Sequence, residues 1–291
     1  MYECYHNIAD VNFNNISSYI ICPSKIVTRN HTMTYQNRLN DIDVLQKQIE
    51  SLRSLSLEQV NQLKNYYRIG FTYTSNALEG NRLTESETKV VLEDGITIGG
   101  KTLNDHYEAA GHGEAFDHIY KLSANDSISE TDILELHKLF YYRIDSKEAG
   151  VYRNKPVIIT GTDYVPPPPH LVGYAMDQFI RNIPELVKLH PVIYAARLHA
   201  DLVTIHPFIE GNGRTARLLM NLALFQKGYP ITIIPPIVRA DYIEAIKAAN
   251  KGNYENFDNF ISCMVWESQM DYLRLFTALN PPKSIISGRK H

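Results

Sequence analysis

Residues 206–217 read HPFIEGNGRTAR. A histidine, an acid, a Gly-Asn-Gly turn and two arginines three apart fall in one short stretch, and packing a core calls for no such combination. ARLHADLVTI before His206 has a helical pattern, and so has RTARLLMNLALFQKG after Gly213. The stretch is therefore a tight loop joining two helices, with Gly211, Asn212 and Gly213 at the entry to the second. A helix N-terminus presents unpaired N–H groups and the positive end of its dipole, a ready anion site. Glycines there let a phosphate approach the backbone. Arg214 and Arg217 project from one face of the first turn. Arginine in that turn opposes the dipole, and an anion between the guanidinium groups and the amides would offset the local cost. Glu210 at the mouth suits Mg²⁺, which typically takes one or two carboxylates plus phosphate oxygens and water. His206, with an unperturbed pKa near ~6.5, suits removal of a proton from an incoming nucleophile. Phe208 reads as a core anchor. The plainer alternative, a structural loop with a buried histidine and surface arginines, accounts for parts of the string but not for the whole.

Working outward, the chain has 291 residues, enough for one large domain or one domain with an accessory segment. Its 44% hydrophobic and 21% charged content is ordinary for a globular protein. A net charge of −3 lacks the basic excess of a nucleic-acid binder, and no apolar run reaches the length of a membrane span. Cys4, Cys22 and Cys263 are odd in number and scattered, which fits a reducing compartment. MYECYHNIADVNF has no signal-peptide pattern, so a cytoplasmic location is expected.

Residues 1–40 are polar and irregular. Helical periodicity begins at Asp41, with Ile42, Leu45, Ile49 and Leu52 on one face. Ser56 with Gln59, and Thr84 with Glu87, are capping-box signatures for two further helices. The first should run to about Leu78, where Glu79-Gly80-Asn81 stops it. Helices are expected at 102–122, 130–143, 171–182, 191–205, 213–227, 239–250 and 254–279. VIITGTDYVPPPP (157–169) interrupts them, and its β-branched residues, turn and prolines predict a short hairpin with a stiff exit. The fold expected is mainly α, a helical bundle with one small β-hairpin.

HPFIEGNGRTAR resembles the Fic-domain motif H-x-F-x-[D/E]-G-N-G-R-x-x-R at every specified position. LHKLFYYRIDSKEAGVYR (136–153) is similar to the segment that leads into that family's flap, and VIITGTDYVPPPP to the flap hairpin. The likeness spans roughly residues 60 to 265. It implies a Fic-like bundle that moves AMP from ATP, with Mg²⁺, to a hydroxyl side chain of a target protein. By this resemblance His206 deprotonates the hydroxyl and Glu210 holds Mg²⁺. Gly211, Asn212 and Gly213 cradle the α- and β-phosphates, Arg214 contacts the phosphate chain and Arg217 takes the γ-phosphate. Tyr242 and Asn250, eight apart in DYIEAIKAAN, would serve the adenine. Ile159, Thr160, Gly161 and Thr162 would dock the target's backbone.

TSNALEGN (74–81) gains weight beside that motif. Alone, Glu79-Gly80-Asn81 is a helix stop. With it, Ser75 through Gly80 resembles the family's inhibitory-helix pattern [S/T]-x-x-x-E-[G/N]. The resemblance implies that Glu79, four residues from Ser75, pairs with Arg217 and holds the γ-phosphate position. The chain then divides into an arm at 1–40 of unassigned role, a helical region at 41–100 containing the inhibitory helix (about 57–79), a catalytic domain at 101–280 and a tail at 281–291. Expected partners are ATP and a target protein, not nucleic acid or membrane. Self-modification on surface tyrosines and a dimer contact through residues 1–40 stay open. So do two rivals: a relative that removes AMP or moves another nucleotide, and a nucleotide-binding regulatory module without turnover.

Overall fold

The computed structural model describes residues 26–27 and 33–281. Most of the arm at 1–40, with Cys4 and Cys22, and the tail beyond residue 281 lie outside the described residues. The described chain forms ten α-helices: α1 (Leu39–Glu50), α2 (Leu57–Ala77), α3 (Glu85–Glu93), α4 (Leu103–Leu122), α5 (Glu130–Tyr141), α6 (Pro169–Leu186), α7 (Pro191–Ile205), α8 (Asn212–Gln226), α9 (Arg239–Ala249) and α10 (Glu255–Leu279). Complete capping boxes start α2 at Ser56, α3 at Thr84, α4 at Thr102 and α5 at Ser129. Each satisfies backbone N–H groups that the helix itself leaves open, so these starts are set locally.

The core is built around α8. Every residue from Arg214 to Leu224 is buried, which marks a central helix rather than a surface one. α7 packs along it, α4 and α5 cover another side, and α10 spans α1, α7 and α9. Ile42 from α1, Phe71 from α2 and Phe257 from α10 lie in the same apolar core as Leu219. The helices that precede residue 100 are therefore packed into the body that carries the loop at 206–211. No described helix is long and apolar enough to cross a membrane.

The hairpin expected at 157–169 takes another form. That segment is extended and turns at Thr160–Gly161, where Gly161 has φ +82, yet no strand ladder joins its arms. The arms are only a few residues long, and the prolines from Pro166 onward have no N–H to give. Among the described residues the only paired strands are β1 (Ile26–Val27) and β2 (Met33–Thr34), which run antiparallel. The proline run also starts α6 earlier than expected, because Pro169 occupies its first turn.

Candidate active site

His206 closes α7 in the left-handed region, at φ 53 and ψ 57, and no other described non-glycine residue has positive φ. Such a backbone costs about 1–3 kcal/mol and persists only where its surroundings enforce it. Here Arg153 Nε donates to the His206 carbonyl at 2.7 Å. The imidazole Nδ1 lies 3.3 Å from the Val203 carbonyl, an acceptor, so Nδ1 carries the proton and Nε2 keeps its lone pair. Burial lowers the imidazole pKa to about 4, with Arg153 acting the same way and the Val203 bond opposing. At neutral pH the ring is an uncharged base.

The loop is pinned from beneath. Phe208 is fully buried and stacks on His137, with ring centroids 3.7 Å apart and planes within 3°. His137 Nδ1 accepts from the Gly150 N–H at 2.9 Å, and its Nε2 donates to the Glu210 carbonyl at 3.1 Å. That pair of bonds fixes one neutral tautomer, and burial keeps it so by lowering the pKa to about 4. Gly211 starts α8 at φ +80, and a Cβ there would lie 2.8 Å from the Phe140 ring. Glycine is required twice over, by conformation and by space.

The N–H groups of Asn212, Gly213 and Arg214 open α8 without acceptors in their own helix. Both arginines converge on this turn and are buried. Arg217 is fully engaged: Nε donates to Ser75 Oγ (2.9 Å), Nη1 to the Tyr242 hydroxyl (3.1 Å), and Nη2 to the Ser75 carbonyl (2.8 Å) and Glu79 Oε1 (2.7 Å). Arg214 lies over the Phe140 ring at 4.4 Å and pairs through Nη1 with Glu108 Oε1 at 2.7 Å. The Glu79 carboxylate rests directly on the start of α8, where a Cβ at Gly213 would collide with its Oε1. The anion at this helix terminus is thus supplied by the chain itself. Burial would raise the Glu79 pKa, but Arg217, Arg214 and Arg239 outweigh it and hold the carboxyl below its usual range.

The turn after α2 is held as firmly as the carboxylate. Arg239 Nε donates to the Leu78 carbonyl at 2.6 Å. Asn81 Nδ2 donates to Glu108 Oε2 at 2.7 Å and to the Asp105 carbonyl at 3.0 Å. Glu108 on α4 therefore joins the Glu79 turn to Arg214.

Glu210 points outward, with 61% of its side chain exposed, and its Oε1 is 3.4 Å from Arg214 Nη2. Among the described residues no group of three or more potential metal ligands occurs. One solvent-facing carboxylate beside an anion nest still fits Mg²⁺, which completes its shell with phosphate oxygens and water.

Two expected roles change. Asn212 does not face the nest with its side chain, which is buried and clamps Phe208: Oδ1 accepts from the Phe208 N–H and Nδ2 donates to its carbonyl, both at 2.9 Å. Only its backbone N–H is left for a phosphate. Tyr242 offers no face to a purine, being 2% exposed with its hydroxyl bonded to Arg217 and to His199 Nε2 (2.9 Å). Its position on the right helix face is overridden by α10, whose Phe257 and Phe260 pack against the ring. Asn250 is partly exposed, and its Oδ1 accepts from Thr204 Oγ1 at 2.8 Å, near the end of α7. The extended segment carries Thr160 and Gly161 exposed at its tip, with Ile159 and Thr162 half-buried. Sequence reading missed Glu108, His137 and Arg153. Arg153 alone had a local cue, its place just before the extended segment.

An uncharged imidazole, a helix start with open N–H groups and a solvent-facing carboxylate thus share one loop. Residues 127–224 match the family model described as Fic/DOC family. Proteins called protein adenylyltransferase Fic are similar: that of Drosophila erecta is 36% identical over 78% of this chain and 46% of its own length. That of Nematostella vectensis is 36% identical over 78% of this chain and 53% of its own length. Among solved structures, Fic-1 (residues 134–508) of C. elegans superposes with a TM-score of 0.76 at 28% identity, covering 82% of this chain and 72% of that one. The chain belongs to the Fic/DOC family. It spans about half the length of the curated relatives it matches.

Proposed function

We propose that this chain is a protein AMP-transferase that restrains itself through Glu79. The observation that carries the reading is an uncharged imidazole at His206, its Nε2 unbonded among the described residues, in the loop that leads into a helix start where Arg217 holds the Glu79 carboxylate. In the proposed reaction a target hydroxyl loses its proton to His206 Nε2. Its oxygen bonds to the α-phosphorus of ATP, and the bond from that phosphorus to the bridging oxygen of pyrophosphate breaks. The N–H groups of Asn212, Gly213 and Arg214 hold the phosphate chain, with Arg214 and Arg217 placed to take its charge. Magnesium bound at Glu210 would neutralise charge on the leaving pyrophosphate. Such catalysis is mainly positioning and charge stabilisation.

Glu79 restrains this by holding Arg217 and the Gly213 end of the nest. Carboxylate and phosphate compete for the same guanidinium fork on similar geometric terms. Removal of AMP is a second reading for the same site, because Arg217 uses only Oε1 of Glu79 and Oε2 is left to orient a water. Isotope placement tests the main reading. With Glu79→Gly protein and a hydroxyl-bearing protein acceptor, label from the α-phosphate of ATP should enter protein and label from the γ-phosphate should not. Incorporation of γ-label would mean phosphoryl transfer and would overturn it.

A further inference from the structure

We infer that Arg153 is a positioning residue that ties both ends of the flap to the backbone of His206. The inference rests on the reading of His206 as the base. Arg153 is 2% exposed, and among the described residues its hydrogen bonds all end on backbone carbonyls. Its Nη1 donates to the Lys155 carbonyl at 3.3 Å and its Nη2 to the Pro167 carbonyl at 2.6 Å. Its Nε holds the His206 carbonyl at 2.7 Å, and its own backbone N–H donates to the Pro207 carbonyl at 2.9 Å.

Among the described residues no carboxylate pairs with this guanidinium, although burying an unpaired charge is expensive. Neutralising a partner therefore does not explain the residue, and an apolar side chain would fill the space at lower cost. What only a planar fork does is hold three carbonyls at fixed separations. Lys155 and Pro167 bracket the extended segment, and His206 carries the strained backbone that aims the imidazole. Tyr164 adds a second tie, its hydroxyl donating to the Thr204 carbonyl at 3.0 Å. A target strand laid on the segment is thereby registered against Nε2. The nucleotide side of the site, at Arg214 and Arg217, has no bond to Arg153.

The test uses Glu79→Gly protein as parent, with Arg153→Lys and Arg153→Met added. For transfer, the target's KM should rise and kcat should fall by about 10- to 100-fold, because misplacement of about an ångström is enough. Lysine should not rescue, since a point donor cannot span three carbonyls. ATP affinity should stay within about twofold of the parent. Nitrogen-15 NMR of His206 gives a readout that needs no turnover. The charges facing that imidazole are Arg153 and Glu79, and the parent already lacks the second. Arg153→Met should therefore mix the two tautomers and raise the ring's titration midpoint. An unchanged His206 spectrum would overturn the inference, as would a loss of ATP affinity that merely follows a fall in melting temperature. A parent that transfers no AMP would sink the activity reading instead, and the His206 spectra would still decide the role of Arg153.

Discussion

The loop at 206–211 and the extended segment at 156–168 meet at Arg153 but are built in opposite ways. In the loop most backbone groups are committed: Asn212 clamps both backbone groups of Phe208, His137 supports Glu210, and Arg153 holds His206. In the segment the ends and Tyr164 are tied, while Ile158 and Val165 stand 94% and 81% exposed. Chemistry at phosphorus, as proposed for this loop, tolerates little displacement, which would account for residues held this closely. A surface that must accept another chain keeps backbone groups and apolar side chains open. Under the proposed function, the difference separates the part that would react from the part that would recognise a target.

The largest effect should come from His206→Ala in the Glu79→Gly protein. Loss of a general base should slow transfer by about 10²–10⁴-fold while ATP affinity is retained, as rate and binding assays would report. Equal transfer by that variant would remove the loop's claim to be the reacting part. Asn212→Ala strikes the same loop through stability. It orphans a buried N–H and a buried carbonyl at Phe208, each worth about 1–3 kcal/mol, so denaturant unfolding should show a loss of a few kcal/mol.

Acid probes the loop together with the core behind it. The imidazoles of buried His112, His137 and His199 and of half-buried His206 all have lowered pKa values in the fold. The unfolded chain takes up protons at these sites near pH ~6.5 while the native chain does not. Their contribution is thus complete above that pH and is lost as pH falls towards the folded values, about 4 for His137 and His206. Each imidazole removes on the order of 1.4 kcal/mol per pH unit in that window. Melting temperature should drop between pH 7 and 5, and the drop should shrink in His137→Phe. The smallest effect belongs to the segment. Ile158→Ser should move stability by no more than about 0.5 kcal/mol, because the side chain is already in water. It should nevertheless raise the KM for a protein target, and an unchanged KM would blur the contrast drawn above.

How much of this was legible in the sequence follows from the reach of each interaction. HPFIEGNGRTAR could be read because its whole chemistry lies in one contiguous turn. The capping boxes at Ser56 and Thr84 could be read because each satisfies its bonds within four residues. Glu79 was legible only beside the loop, since alone it looks like a helix stop. Tyr242 was placed on the correct helix but given the wrong surroundings, because periodicity says nothing about which neighbour covers a face. Glu108 reaches Arg214 from a helix far away in sequence, and no local pattern announces such a pairing. The flap was expected as a ladder because β-branched residues and a turn suggest one, yet short arms beside prolines do not sustain it without a partner strand.

The central claim is that Glu79 occupies the place a nucleotide phosphate needs. Intact-mass spectrometry after incubation with ATP and Mg²⁺ tests it most directly, on the unaltered chain, Glu79→Gly, and Glu79→Gly with His206→Ala, each with an acceptor protein. A charge-assisted pair worth about 1.5–3 kcal/mol predicts AMP addition to rise roughly 10- to 150-fold in Glu79→Gly and to vanish in the double variant. Equal AMP addition by the unaltered chain and Glu79→Gly would contradict the claim.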